Sequence, residues 1–142
     1  MLFRSLFIEL GGNVGGLSYN IDRKLNQNVT ARLAYGRFSS IELGDQPTKH
    51  YKTFTAMING LAIGPIWWHE LGIGFTSGTY RADCCTADGS RKEVTGTWGF
   101  RRQPADGGFV FRIGFTPAWV IESHVYDEGF RLRAGVSAGF AF

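Results

Sequence analysis

Leu132-Arg133-Ala134-Gly135-Val136-Ser137-Ala138-Gly139-Phe140-Ala141-Phe142 is the stretch that decides the predicted fold. Successive side chains of a β-strand point to opposite faces of its sheet. One face of this stretch therefore carries large apolar side chains such as Val136 and Phe140, while the other carries glycine, serine and Arg133. The pattern predicts a strand that separates an apolar surface from a small, polar one.

The same two-residue period recurs along the chain and predicts about eight strands. From Gly108 to Thr116 one face carries phenylalanine and isoleucine, and Val110 alone interrupts the small, polar opposite face. Further alternating segments begin near Leu6, Leu17, Val29, Thr53, Glu70 and Val94.

The predicted connections between strands alternate in length. Long ones are expected at Ser39 to Lys52, Tyr80 to Lys92 and Ala118 to Phe130, and short ones at Leu25 to Asn28, Gly64 to Ile66 and Gln103 to Gly107. Gly12 to Gly16 is a short connection where a long one is expected. Outer-membrane barrels have an even number of strands, with short turns on one side and longer loops on the other. The sequence thus predicts an all-β protein: one antiparallel up-and-down transmembrane barrel of about eight strands, residues 1–142.

The polar face is predicted to be the inside of the barrel. A soluble carrier would line its cavity with apolar side chains and place many charged ones in water. Here the polar face is mostly glycine, serine, threonine and alanine, which suits a narrow, crowded interior. The side chains predicted to face lipid are Leu33, Leu71, Ile73, Phe75, Phe109, Phe111, Ile113, Phe115, Val136 and Phe140.

Isolated charges of both signs fall on the predicted inner face. They are Glu9, Asp22, Arg32, Glu70, Arg101, Arg112 and Arg133. Buried charges are costly unless they are paired and hydrogen-bonded. We therefore predict a carboxylate and guanidinium network in the lumen, with Glu9 and Glu70 among its acceptors. In the alternative, charges such as Asp22 and Arg101 reach water at the barrel ends.

Aromatic residues near the predicted strand ends suggest membrane interfaces, where a ring is half buried and its polar atom stays wet. The interface aromatics are predicted to be Trp67, Trp68, Trp119 and Phe142. Ordinary core aromatics of a soluble domain are the alternative.

Composition excludes several other classes of protein. A net charge of +3 without a basic block gives no reason to expect nucleic acid as a partner. No apolar run approaches the length of a transmembrane helix. Met1 to Phe7 lacks the features of a secretory signal. An outer-membrane protein must be exported, so this chain is expected to be a mature, engineered or truncated form of one. Cys84 and Cys85 are adjacent in a polar stretch, and we expect two loop thiols without a role, with a vicinal disulfide or an intermolecular bridge as alternatives.

Motifs for catalysis, metals and cofactors are incomplete. Trp68-His69-Glu70 lacks the second histidine of a helical zinc site, and Glu122-Ser123-His124 places the residue types of a serine hydrolase consecutively, where a triad rarely forms. Gly11 to Gly16 lacks the Lys-Ser/Thr ending of a phosphate loop. His50, His69 and His124 are scattered. We predict no catalytic residue, no metal and no cofactor.

Three segments resemble small, largely uncharacterised porin-like outer-membrane β-barrel proteins. Gln103-Pro104-Ala105-Asp106-Gly107-Gly108-Phe109-Val110-Phe111-Arg112-Ile113-Gly114-Phe115-Thr116-Pro117 resembles one of their hairpins, and Glu9-Leu10-Gly11-Gly12 with Leu17-Ser18-Tyr19-Asn20 resembles the first. The ending Phe140-Ala141-Phe142 is similar to the signal that the barrel-assembly machinery recognises. The resemblance implies an eight-stranded fold, a bacterial outer-membrane location, and contact of Phe142 with that machinery.

The expected function is that of a non-enzymatic integral barrel of the Gram-negative envelope, with a polar, plugged lumen. Its expected roles are envelope structure, surface interaction with an unknown partner, or limited passage of small solutes. The barrel is expected to lie in outer-membrane lipid. The first alternative is a soluble, lipocalin-like carrier that binds an apolar ligand among Phe109, Phe111, Ile113, Leu71 and Phe75. A lipid hydrolase of the outer membrane is the second.

Overall fold

The chain forms a closed antiparallel β-barrel. The computed structural model describes residues 4–40, 49–62, 64, 67–82, 88–104, 106–123 and 129–142. Its eight strands are β1 (Arg4–Gly11), β2 (Gly16–Lys24), β3 (Val29–Ser40), β4 (Lys49–Ala62), β5 (Trp67–Ala82), β6 (Asp88–Arg102), β7 (Gly108–Ser123) and β8 (Gly129–Ala141). Each strand pairs with the next, and β8 pairs with β1. The predicted fold class is confirmed.

Closure between the first and last strands removes any free sheet edge. Ser5 lies opposite Ala141 and Leu6 opposite Phe140 in this pairing. Just beyond β8, Arg4 and Phe142 exchange two backbone hydrogen bonds of 2.9 Å, each residue donating one. The barrel thus satisfies its backbone polar groups between strands, which is the condition for a sheet to exist in hydrocarbon.

The connections between strands distinguish the two ends of the barrel. We call the end at which β1 begins, β8 ends, and β2 is connected to β3, β4 to β5 and β6 to β7 the turn end. The end at which β1 is connected to β2, β3 to β4, β5 to β6 and β7 to β8 is the loop end. Among the described residues, no helix has the length and apolar character needed to cross a membrane.

Side chains alternate between an exposed apolar surface and a buried polar interior. In β1 every second residue is buried, from Ser5 through Phe7 to Glu9. Val110, which interrupted the sequence pattern, points inward and is fully buried. Nine of the ten side chains predicted to face lipid are exposed, and Phe111, which is partly covered, alternates outward between inward-pointing Val110 and Arg112.

Strands at the loop end are longer than the sequence predicted. The ladder continues through residues such as His50, Tyr80 and Ser90, all of which were expected in the long connections. The parts of the predicted long connections that lie outside the described residues are 41–48, 83–87 and 124–128. In the extensions of β5 and β6 both faces of the sheet are mostly polar, so the apolar alternation stops there although backbone pairing does not. In β7 the outward apolar residues continue through Trp119 and Ile121. The predicted long connections were therefore wrong in extent.

Candidate functional site: the barrel interior

Asp22 accepts hydrogen bonds from two arginines near the turn end of the lumen. Arg32 lies directly opposite it in register, and the Arg32 Nε–Asp22 Oδ1 distance is 2.8 Å. Arg101 reaches across from β6 and donates from Nη1 to Asp22 Oδ2 and from Nη2 to Ser5 Oγ, the latter at 2.9 Å. One carboxylate therefore links three strands, and Arg101 adds a fourth through Ser5.

Glu70 is the second centre of the same network. Arg112 donates to it with two nitrogens, at 2.7 Å from Nε to Oε2 and 3.1 Å from Nη2 to Oε1. Arg32 donates from Nη2 to Oε1 of the same carboxylate. Because Arg32 contacts both Asp22 and Glu70, the two carboxylates belong to one connected network. Two-pronged arginine–carboxylate pairs also fix the geometry of the groups that they join.

Glu9 and Phe7 complete this part of the lumen. Glu9 Oε1 lies 3.9 Å from Arg112 Nη1. The Phe7 ring contacts two guanidiniums, with the Cζ atoms of Arg32 and Arg112 each 5.2 Å from its centre. The set contains three arginines and three carboxylates, so its formal charges cancel. We call it the ionic network, with members Glu9, Asp22, Arg32, Glu70, Arg101 and Arg112.

Six of the seven charges predicted for the inner face meet in the ionic network. Asp22 and Arg101, the two residues that the alternative placed in water, are each 1% exposed. Arg133 lies elsewhere, closer to the loop end. There it donates to Glu93 with two nitrogens, at 2.6 Å and 2.8 Å.

The connection between β1 and β2 folds into the lumen. We call residues 12–15 the inner turn. Asn13 is completely buried: its Nδ2 donates to Met57 Sδ at 2.9 Å, and its Oδ1 accepts from Thr95 Oγ1 at 3.2 Å. Its backbone oxygen accepts from Arg133 Nη1 at 2.9 Å. Arg133 therefore joins the inner turn to Glu93 on the barrel wall.

Glycines in the wall make room for the inner turn. A Cβ atom added to Gly36 would lie 2.1 Å from Val14 Cγ1, and one added to Gly135 would lie 2.7 Å from Gly12 Cα. Gly12 itself has a φ of 62°, a left-handed conformation that glycine adopts without strain. This explains why the first connection is short at the end where long ones were expected: it occupies the lumen.

Glu93 and Asn13 are polar residues of the interior that the sequence analysis missed. Glu93 shares the inward period of Thr95 and Thr97, so extending the predicted strand by one residue would have found it. Asn13 carried no such signal, because a residue in a turn has no strand period from which its direction follows.

Three of the four predicted interface aromatics point outward. Trp67, Trp119 and Phe142 are exposed, Trp119 toward the loop end and the other two at the turn end. Trp68 does not belong with them. Neighbouring strand residues face opposite sides, so Trp68 lies on the inner side at the barrel mouth, where Lys24 Nζ is 5.5 Å from the centre of its ring.

No catalytic group is recognisable among the described histidines, Glu122 and Ser123. Glu122 is paired on the outer surface with Lys92, at 2.9 Å between Oε2 and Nζ. The His69 ring packs at 4.5 Å from the Phe100 ring. No group of three or more possible metal-ligating acidic, histidine or cysteine side chains occurs within the described ranges. His124, Cys84 and Cys85 lie outside them.

The carrier alternative fails on the direction of its proposed ligand contacts. Leu71, Phe75, Phe109 and Ile113 are exposed on the outer surface. Phe111 alternates to the same surface. An apolar ligand held among these residues would lie outside the barrel, against side chains that are spread over separate strands.

The geometry defines a class of protein: an eight-stranded barrel of the outer-membrane type, apolar outside and polar inside. Solved structures agree with this class. Neisserial surface protein A matches 99% of this chain and 92% of its own at 11% identity, with a TM-score of 0.65. The N-terminal β-barrel domain of Pseudomonas aeruginosa OprF gives 15% identity, 99% and 96% coverage and a TM-score of 0.64. Ail, the attachment invasion locus protein of Yersinia pestis, is 10% identical, with 99% of this chain and 95% of its own covered and a TM-score of 0.53.

At these identities the likeness establishes the fold alone. No protein-family model matches the sequence, and no curated protein matches it. The predicted resemblance to small outer-membrane barrels is confirmed at the level of fold.

Proposed function

We propose that this protein is a non-enzymatic integral barrel of the bacterial outer membrane, with a plugged lumen. One observation carries the proposal: large apolar side chains cover the outside, while charged ones are buried and paired inside. A soluble protein gains no stability from this arrangement, because its apolar side chains would remain in water. In a bilayer the same side chains contact hydrocarbon.

The height of the apolar surface supports a membrane location. In β7 the outward residues from Phe109 to Trp119 are ten positions apart. At roughly 3.3 Å per residue and a tilt of about 40°, they span about 25 Å along the barrel axis. That value equals the height of the apolar band of known outer-membrane barrels, about 25 Å.

Closure of the lumen at both ends favours envelope structure and surface contact over solute passage. The ionic network lies toward the turn end and the inner turn toward the loop end, so a conducting path would require both to move. Ail, a structural neighbour, has been crystallised with the heparin analogue sucrose octasulfate. We propose that the loop end of this barrel faces outward and makes contacts at the cell surface.

We also propose that the barrel-assembly machinery is a partner of this protein, in addition to the contacts at the cell surface. Phe142 is exposed and continues the ladder of the strand that closes the barrel. An exposed aromatic side chain on the outer surface of the closing strand is accessible to a partner before closure is complete.

Replacement of one outward residue tests the membrane assignment. Ile73 lies in the middle of the apolar surface and is 66% exposed, while Leu25 lies in a connection at the turn end and is 51% exposed. We expect Ile73→Arg to lower the stability of the inserted barrel by about 2–4 kcal/mol and Leu25→Arg by about 0–1 kcal/mol. Urea unfolding in phosphatidylcholine vesicles measures both.

Fractionation of cells that express the unchanged protein provides the direct readout. The protein should sediment with outer membranes, resist extraction by salt, dissolve in detergent and migrate differently on a gel before and after boiling. A protein that remains in the soluble fraction, and that tolerates Ile73→Arg as well as Leu25→Arg, would overturn the proposed function.

A further inference from the structure

Two like-charged residues face each other at the loop-end edge of the apolar surface. Arg37 and Lys52 are directly opposite in the pairing of β3 and β4, and both point outward and are exposed. Side chains at such positions have Cβ atoms about 5 Å apart, and like charges there are destabilising. Neither forms an ion pair with any residue in the described ranges.

The pair lies directly above an apolar column. Going from Arg37 and Lys52 toward the turn end, the next outward pairs are Tyr35 with Phe54, Leu33 with Ala56 and Ala31 with Ile58. The order is cation, aromatic, aliphatic. This order follows the layers of a bilayer from headgroup through interface to hydrocarbon.

A second pair of this kind lies at the opposite edge of the apolar surface. Arg4 and Arg23 are directly opposite in the pairing of β1 and β2, and both are exposed. Leu6 with Ile21 is the next outward pair. Two cation pairs at the two edges of one apolar band match the two headgroup layers of a bilayer, both of which contain phosphate.

A neighbouring cation of the loop-end edge is neutralised by the protein itself. Lys92 on β6 pairs with Glu122 on β7 at 2.9 Å, and both side chains are about half exposed, at 47% and 49%. The barrel therefore has an internal partner for one outward cation at this edge and none, among the described residues, for Arg37 and Lys52. An anion from the surroundings would relieve their repulsion.

We propose that Arg37 and Lys52 together bind the phosphate group of an anionic lipid in the leaflet at the loop end; this inference rests on the proposed membrane location. The guanidinium of Arg37 donates two parallel hydrogen bonds to phosphate oxygens, and the ammonium of Lys52 contributes a point charge. Tyr35 and Phe54 lie at the depth of the glycerol and upper acyl carbons.

Lipid crosslinking tests the site locally. The full chain is inserted into vesicles of equal parts phosphatidylglycerol and phosphatidylcholine, each in turn carrying a photoactivatable headgroup. Crosslinks to peptides of β3 and β4 are counted by mass spectrometry. We expect phosphatidylglycerol to exceed phosphatidylcholine there, and Arg37→Gln or Lys52→Gln to lower that ratio by about fivefold, the factor equivalent to about 1 kcal/mol for each cation.

Two further variants and one competitor sharpen the result. Arg37→Lys keeps the charge and should keep most of the preference, whereas Lys92→Gln should leave the ratio at β3 and β4 unchanged. An unchanged ratio in the double variant Arg37→Gln with Lys52→Gln would overturn the inference. So would inorganic phosphate that abolishes the preference more strongly than sodium chloride at equal ionic strength, since the site would then bind free phosphate.

Failure of the proposed function gives a different result. A protein outside the membrane would give no crosslinks from acyl-chain probes to Leu33 or Ile58. Crosslinks at those residues without a phosphatidylglycerol preference at Arg37 and Lys52 would leave the membrane barrel intact and remove only the lipid site.

Discussion

In the plugged barrel that we propose, the two ends of the interior are closed by different physical means. At the turn end, three arginines and three carboxylates from six strands meet through their side chains. At the loop end, a four-residue turn of backbone folds inward and is held by Asn13, Val14 and Arg133. The first closure depends on balanced charge, and the second depends on shape, because Gly36 and Gly135 leave room for the turn. The two closures meet at Glu9, whose Oε1 would lie 2.2 Å from a Cβ atom added to Gly12, but they depend on different interactions and respond to different substitutions.

The largest expected effect comes from removing the charge of Glu70 at the turn end. Glu70→Gln keeps the shape of the side chain but leaves Arg32 and Arg112 with one carboxylate fewer in a buried site. Breaking a buried ion pair by removing one partner typically costs about 3–5 kcal/mol. We expect a loss of that size in the free energy of unfolding, measured by urea titration of the vesicle-inserted barrel.

Glu122→Gln is the matched control for this variant. It removes the same charge from an exposed pair with Lys92, and exposed pairs contribute about 0–1 kcal/mol. Adding Arg112→Met to Glu70→Gln should recover part of the loss, because the uncompensated cation is then gone. Equal stabilities of the Glu70 and Glu122 variants would mean that water reaches the ionic network and screens it.

The two closures also differ in how far the sequence predicted them. Every member of the ionic network lies on a strand, so the two-residue period gives its direction, and balanced inward charges then imply pairing. Closure of the loop end depends on the path of a turn, which no period describes. The glycines at 36 and 135 were assigned to the inner face, but their role as the space for Val14 and Gly12 depends on contacts between distant parts of the chain.

The extent of the strands was underestimated for a related physical reason. Apolar alternation records which residues contact hydrocarbon, and it ends where both faces of the sheet meet water. The backbone ladder of β4 and β5 continues past that level, to Lys49 and Ala82. The sequence therefore predicted the height of the apolar band better than the length of the strands.

At the loop end, the next largest effect is expected from Gly36→Ala. The added methyl group would lie 2.1 Å from Val14 Cγ1, so Val14 must move and take the inner turn with it. Overpacking of this kind costs about 1–3 kcal/mol. We expect amide hydrogen exchange over residues 12–15 to accelerate, while exchange around Arg32 and Arg112 stays unchanged.

Gly60→Ala is the control for this second variant, because its methyl group would lie 3.6 Å from the Leu71 carbonyl oxygen, an ordinary contact. Combining Gly36→Ala with Val14→Ala removes the nearest clashing atom and should slow exchange again. Rapid exchange in both glycine variants, or in neither, would show that the inner turn is not held by the fit of Val14 against Gly36.

Asn13→Ala is expected to have the smallest effect. It separates the two interactions that fix the inner turn, namely the hydrogen bonds of Asn13 and the fit of Val14 against the wall. It removes the hydrogen bonds to Met57 and Thr95 but keeps the backbone acceptor of Arg133 and the fit of Val14. A hydrogen bond contributes about 0.5–1.5 kcal/mol, so unfolding should become easier by about 1 kcal/mol.

Asn26→Ala, in an exposed connection, removes one local bond to the Asn28 amide and should cost less. If Asn13→Ala instead released residues 12–15 as fully as Gly36→Ala does, polar contacts rather than shape would hold the loop end closed, and the two ends would share one mechanism.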